Sequence, residues 1–417
     1  MQLTPGTVRA RLSAAAMLLL SSSVPAAAAE GAPTLRVEAG GLLYGEASRA
    51  QVIEPTVRVT RIDSNGQTLS AGVALDVITG ASPTGAMPAG RIQTTTTPSG
   101  NLKTTPADAI PTNAFHDVRG ELDLEWSRPV LPLLTTTLGT HFSREKDYQS
   151  LGASGKASLD LFQRLFTVTV GGGYSRDAVM PEGGTHAGLD AGDAIVSGGS
   201  QRKQVGEGVL GLSRVLTRRW LVGLSVARTT ERGYLTEPYK VVSLLDPASG
   251  MTTGSRTEKR PGTRERRSLM GSSVYHFTED VLYTSYRWYR DDWGVRSHTL
   301  DLKYRHELGN ESFVQPHVRF YTQTRADFFH FGLREDEPLP AYASSDFRLG
   351  PLRSGTLGAT YGFRPPIGPG GELTVRAEYL VQWGAGHPAS AVGVQKTYDL
   401  FPAESIGSLV IGYTLER

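Results

Sequence analysis

Three carboxylates and an imidazole sit between positions 291 and 301: Asp291, Asp292, His298 and Asp301. Such side chains ligate divalent metals, through carboxylate oxygens or an imidazole nitrogen. Their spacing matches no ligand pattern, so we read them as a rim held by carboxylate–guanidinium contacts with Arg290 and Arg296. Hydrolytic chemistry fares no better. The chain has no G-x-S-x-G elbow to raise a serine nucleophile, and nothing sets its serines and His298 as a triad. Gly171-Gly172-Gly173 is not a phosphate loop, because no helix follows to supply a dipole. The chain has no cysteine, which removes thiolate metal sites, cysteine catalysis and disulfide stapling. We therefore expect no catalytic, cofactor or metal residues, and no enzyme.

The remaining candidates are charges in alternating positions. In HTLDLKYRHELGNESFVQPHVRFY (298–321), Leu300, Leu302, Tyr304, Val318 and Phe320 take one parity, and Asp301, Lys303, Arg305 and Arg319 take the other. Period-two alternation means β-strand, because successive side chains point to opposite faces. The same pattern assigns Glu54, Arg58, Arg119, Glu121, Asp123 and Glu125 to a polar face in the first half. Arg287, Arg376 and Glu378 join it in the second half. Such a set either selects solutes by charge in a lumen or fills a barrel with mutually neutralising pairs. Its mixed signs favour pairing, because buried charges persist when compensated.

The elements that position these charges are strands throughout. Tight turns at Ser64–Gly66, Gln163-Arg164, Thr278–Asp280 and Gly309-Asn310 trade off with long polar segments at Ala81–His116, Asp177–Arg202, Glu237–Arg266, Arg334–Ser345 and Gly386–Glu404. DVITGASPTG (76–85) is a strand end entering one of these loops. One end of the molecule then carries short turns and the other long loops, as in an all-β, antiparallel, up-and-down transmembrane barrel with periplasmic turns and extracellular loops. Counting hairpins gives about sixteen strands, with fourteen or eighteen as alternatives because SDFRLGPLRSGTLGATYGFR (345–364) is either one bulged strand or a hidden hairpin. LRVEAGGLLYGEA (35–47) and SIGSLVIGYTLER (405–417) close the barrel as first and last strands. Trp126, Tyr174, Trp220, Trp288, Tyr304, Trp383 and Tyr413 fall near strand ends, where aromatic girdles belong.

The N-terminus supplies the compartment. Arg9 and Arg11, an apolar run from Leu12 to Leu20, and Ala27-Ala28-Ala29 before Glu30 form a secretory signal pattern. The expected division is a signal peptide over 1–29 and an outer-membrane barrel domain over 30–417. A formal charge of +2, from 43 basic and 41 acidic residues, argues against a nucleic-acid partner. The surroundings expected instead are outer-membrane lipid, lipopolysaccharide and the barrel-assembly machinery. The basic segment SRTEKRPGTRERR (255–267) is either a contact for anionic lipopolysaccharide or a plain solvated loop.

VIEPTVRVT (52–60), DVITGASPTG (76–85), GYLTEPYKVVS (233–243), EKRPGTR (258–264) and DDWGVRSHTLDLKYR (291–305) carry a more specific signal. Together they resemble an uncharacterised family of bacterial outer-membrane proteins, domain of unknown function 3570, from about residue 36 to the C-terminus. The resemblance implies an outer-membrane barrel with no assigned activity. It also implies a small lipoprotein or thioredoxin-like periplasmic partner within a redox or export system. The sequence ends in Arg417, where such barrels commonly carry an aromatic residue read during assembly. The functional classes left open are a structural barrel or narrow channel, a diffusion porin or selective channel, and, last, an outer-membrane hydrolase.

Overall fold

The computed structural model describes residues 33–417, apart from 48, 97–101, 191–194, 198 and 367–369. The signal-peptide expectation, 1–29, lies outside the described residues. Sixteen antiparallel strands close into one barrel. They are β1 (Thr34–Glu46), β2 (Ala50–Ile62), β3 (Thr68–Pro83) and β4 (Thr112–Leu131). Next come β5 (Leu134–Arg144), β6 (Tyr148–Leu161), β7 (Phe166–Val179) and β8 (Gln201–Thr217). The second half has β9 (Trp220–Gly233), β10 (Thr263–His276), β11 (Val281–Asp291) and β12 (Arg296–Gly309). It ends with β13 (Ser312–Gln323), β14 (Leu352–Phe363), β15 (Gly371–Gly384) and β16 (Glu404–Glu416). Each strand pairs with its sequence neighbours, and β1 closes against β16 from Arg36↔Glu416 to Glu46↔Ile406. Closure leaves the barrel without an edge strand, the condition for crossing hydrocarbon with strands. Even the shortest barrel strands, of 11 residues, match the 9–11 residues that a tilted strand needs to span a bilayer.

Alternation decides which face meets what. Along β3, Val73 is 57% exposed while Ile78, of opposite parity, is 0% exposed. Leu300, Tyr304 and Phe320 fall in the exposed set, as do Leu122, Leu224 and Tyr379. Water does not favour so continuous a belt of large apolar side chains; lipid does. At the short-turn end Trp220, Tyr275, Phe277 and Tyr304 form an edge-to-face chain, with centroids 6.4, 4.9 and 6.2 Å apart. That is the interfacial position amphipathic rings prefer.

The turns follow from their residues. Asn310 and Glu311 both have positive φ (50° and 56°), the conformation a two-residue hairpin turn demands. Gly66 (φ 76°) closes the β2–β3 turn by donating to Asp63 O at 2.9 Å. At the opposite end the expected alternation relaxes. Long connections occupy 84–111, 180–200, 234–262, 324–351 and 385–403, but 47–49, 145–147 and 292–295 are short. The ambiguous 345–364 stretch is neither bulged nor a hairpin. A 3-10 turn at Phe347–Leu349, capped by the Asp346 side chain, delivers the chain into β14 alone.

Candidate functional site

The polar parity of β3, β4 and β5 forms one charged cluster. Register places Asp76 opposite Arg119 and Asp123 opposite His141. The Arg119 guanidinium reaches Asp76 at 2.5 Å and Glu121 at 3.1 Å. The ring of His141 hydrogen-bonds Asp123 at 2.9 Å through Nδ1, which lies 3.7 Å from Glu121. Arg58, on β2, lies over Gly72. A Cβ there would stand 3.3 Å from the guanidinium, so the missing side chain makes its room. Glu125 continues the acidic row toward the short turns, opposite Ser70 and Gly139. Asp76 and His141 extend the set read from the sequence. Parity alone would have listed both, but only register shows whom they meet.

A second cluster spans β11 to β15. His317 joins two acids, with Nε2 2.9 Å from Asp301 and Nδ1 2.9 Å from Glu378. Glu378 also has Arg376 at 3.8 Å. It reaches past β14 because Gly358 presents no side chain; a Cβ there would stand 2.5 Å from Glu378 Cγ. Arg319 and Lys303 are the register partners of Asp301 and His317. Arg305 binds Glu307 at 2.5 Å and lies over the Phe313 ring, and Arg287 lies 5.6 Å from the centre of Tyr289.

β4 is fourth in the barrel order and β12 twelfth, so the acidic row and the middle of the basic cluster stand on opposite walls of a sixteen-strand ring. The described ion pairs of these side chains reach no farther than two strands away. The described pairs therefore run along the wall and not across the middle. Several of these side chains keep contact with solvent: Asp123 is 36% and Arg376 41% exposed.

The long connections make a folded cap over one mouth. The 234–262 loop joins β9 to β10, yet Lys240 donates to Ser82 Oγ at 3.0 Å and to Pro83 O at the end of β3, six strands away from β9. Met87 N donates to Ser243 Oγ at 2.9 Å, and Val394 N, between β15 and β16, to Ser249 O at 2.8 Å. A loop that reaches both must cross the opening. Residues Val241–Leu245, Thr252–Thr257 and Leu333–Arg334 form a small three-stranded sheet within the cap. Beneath it, Val52 and Ile78 are buried on the polar-parity face at the same end.

Charge ties the cap together. Glu258 accepts from Arg260 Nη2 at 3.0 Å, from Glu237 N at 2.9 Å and from Ser344 Oγ. Arg260 also binds Asp346 at 2.7 Å, and Arg348 bridges Asp346 and Glu237. Burial raises the Glu258 carboxyl above its usual range against the pull of Arg260. Burial acts the same way on Asp346, but Arg348 and Arg260 outweigh it and hold that carboxyl well below its usual range. Burial lowers the Lys240 ammonium to about 8. Two quoted motifs, GYLTEPYKVVS and EKRPGTR, thus supply much of the clasp.

The Asp291–Asp301 group is not gathered. Asp291 closes the DDWG turn by accepting from Trp293 N at 3.1 Å and Val295 N at 2.9 Å. Its ion-pair partner is Arg264 at 2.5 Å, not the expected Arg290 or Arg296. Trp293 lies under the same Arg264, 4.3 Å from ring centre to guanidinium. His298 takes the exposed parity and hydrogen-bonds Tyr286 at 2.6 Å, on the face opposite Asp301. Among the described residues, two trios have ligand-type atoms close together: Glu121, Asp123 and His141, and Asp117, Glu145 and Asp147. Within the second, burial first, then Asp147 and Asp117, pushes the Glu145 carboxyl up to about 8, which explains how three acids sit together.

A family model described as "Protein of unknown function (DUF3570)" matches residues 9–415. No curated protein matches the chain. Solved structures similar to it include Pseudomonas aeruginosa OccK3 (OpdO), at 9% identity over 92% of this chain and 96% of that one, with a TM-score of 0.40. The outer membrane protein OpdK of the same organism shows 8% identity, 92% and 99% coverage and a TM-score of 0.41. For P. aeruginosa OprD the values are 7%, 92%, 94% and 0.39.

Proposed function

Because this chain belongs to the DUF3570 family, whose description names no activity, we propose a function from its own geometry: a narrow outer-membrane channel with a folded extracellular cap. A closed, edgeless barrel with an exposed apolar belt is built for a bilayer, and strands of this kind span outer membranes. The long loops then face outward and the tight turns face the periplasm.

The observation that carries the channel reading is the placement of charge on β4 and β12, eight positions apart in the ring. Glu121, Asp123 and Glu125 line one wall. Arg287, Lys303, Arg305 and Arg319, on β11 to β13, line the other with Asp301 among them, while Arg376 and Glu378 on β15 stand between the two walls. The described ion pairs of each set stay on its own side and leave part of its charge unpaired, so the middle of the barrel is left to water, as the width of sixteen strands allows. Between the walls lies a transverse field, which orients a dipolar or zwitterionic solute as it passes. The cap narrows entry from outside. The redox or export link implied by the family resemblance plays no part in this reading.

The test is planar-bilayer conductance of the refolded full chain. Small, discrete conductance steps with ion selectivity are expected. A protein that inserts and passes no current would make the barrel structural.

A further inference from the structure

The outer face of the barrel carries a row of like charges that its fold does not require. Arg228 on β9 is the register partner of Arg267 on β10. Arg267 faces Arg290 on β11, and Arg290 faces Arg296 on β12. All four are exposed and share the parity of Val226, Leu269, Tyr286 and Leu300 on their strands. Like charges directly opposite across strands destabilise a sheet. Four in succession need an anion. Glu265 supplies part of it, at 2.7 Å from Arg228 and 2.5 Å from Arg267. Asp292 is turned to the Glu265 amide at 2.9 Å. Among the described residues, neither Arg290 nor Arg296 has a carboxylate within salt-bridge distance.

The depth of this row identifies the missing anion. One step nearer the middle of the barrel lie Val226, Leu269, Trp288 and His298, and the next step holds Leu224, Gly271, Tyr286 and Leu300. Each step is two residues, roughly 7 Å along a strand. The guanidiniums therefore stand just above the aromatic and apolar rows, at headgroup height.

We propose that Arg228, Arg267, Arg290 and Arg296 form a binding ladder for the phosphates of lipopolysaccharide in the outer leaflet. Guanidinium forks match phosphate oxygens in bidentate geometry. The acyl chains of the same molecule lie against Leu224, Tyr286 and Leu300, with Val226, Leu269 and Trp288 at the boundary. The inference rests on the outer-membrane reading, which puts this end of the barrel outside.

The experiment reconstitutes the full chain in lipid nanodiscs and measures retention of lipid A by native mass spectrometry. Diphosphorylated lipid A, dephosphorylated lipid A and phosphatidylglycerol are the probes. The expected result is preferential retention of the diphosphorylated form, weakened about tenfold in the double variant Arg267→Gln/Arg290→Gln. Arg144→Gln, an exposed arginine on β5 outside the ladder, should leave retention unchanged. Equal retention of both lipid A forms, preference for phosphatidylglycerol, or an unaffected double variant would each overturn the proposal. Bilayer insertion keeps the two readings apart. A protein that inserts but ignores lipid A loses only the ladder, whereas one that enters no bilayer loses the membrane reading itself.

Discussion

Lys240 Nζ donates to Ser82 Oγ at 3.0 Å although their flanking strands, β9 and β3, lie six positions apart in the barrel. That contact bridges the mouth. Removing it with Lys240→Met should loosen the cap without touching the transmembrane strands. We expect higher conductance and faster proteolysis within 234–262, with unchanged heat-modifiability on a gel. Unaltered conductance and cleavage would show that the clasp does not govern entry.

Protonation offers a second handle on the same end. The Glu145 carboxyl is raised to about 8, so folding favours its protonated form. Its contribution to stability is complete below the ordinary carboxylate pKa of 4.5 and is lost as pH rises through about 8. Melting temperatures measured from pH 5 to 9 should fall across that window in the wild type and fall less in Glu145→Gln. Parallel curves would assign the pH dependence to other groups.

Topology is testable because the chain has no cysteine of its own. A single cysteine in place of exposed Asp336, in the 324–351 loop, should react with a membrane-impermeant maleimide on intact cells. A cysteine replacing Asn65 in the β2–β3 turn should react only after permeabilisation. Reversed labelling would invert the barrel.

Arginine substitution separates the two faces. Leu302→Arg or Val375→Arg, on the apolar parity, should cost about 2–4 kcal/mol of folding free energy, the cost of charge near the bilayer midplane. Asp301→Arg and Thr374→Arg, one residue away, should alter conductance more than folding. Equal folding penalties in a urea titration would break the parity assignment.

The lumen is probed by replacing Glu121, Asp123 and Glu125 together with glutamine. Since their described partners, Arg119 and His141, are on the same or the adjoining strand, the second cluster should stay intact and the barrel folded. Reversal potentials in a salt gradient should shift toward anion preference. An unshifted reversal potential would remove these carboxylates from the conduction path.

Much of this was written in the chain itself. Period-two alternation is a local property, so the parity of Leu302 against Asp301, or Leu122 against Glu121, needs no knowledge of the fold. Turn chemistry at Asn65-Gly66 and Gly309-Asn310 is equally local, and counting turns reached sixteen strands. Parity cannot say which strand residues meet at the same height, because that depends on register summed around a closed ring. Hence Asp301 with His317 and Glu378, the wall-to-wall separation of β4 from β12, and the succession from Arg228 to Arg296 emerge only when the barrel closes. The cap lies furthest from the sequence. Lys240 and Ser82 are 158 residues apart, and nothing in the polar loop containing Lys240 marks its partner. Closure of the barrel brings the two loop bases onto one rim, and burial in the cap then turns scattered loop charges into paired ones.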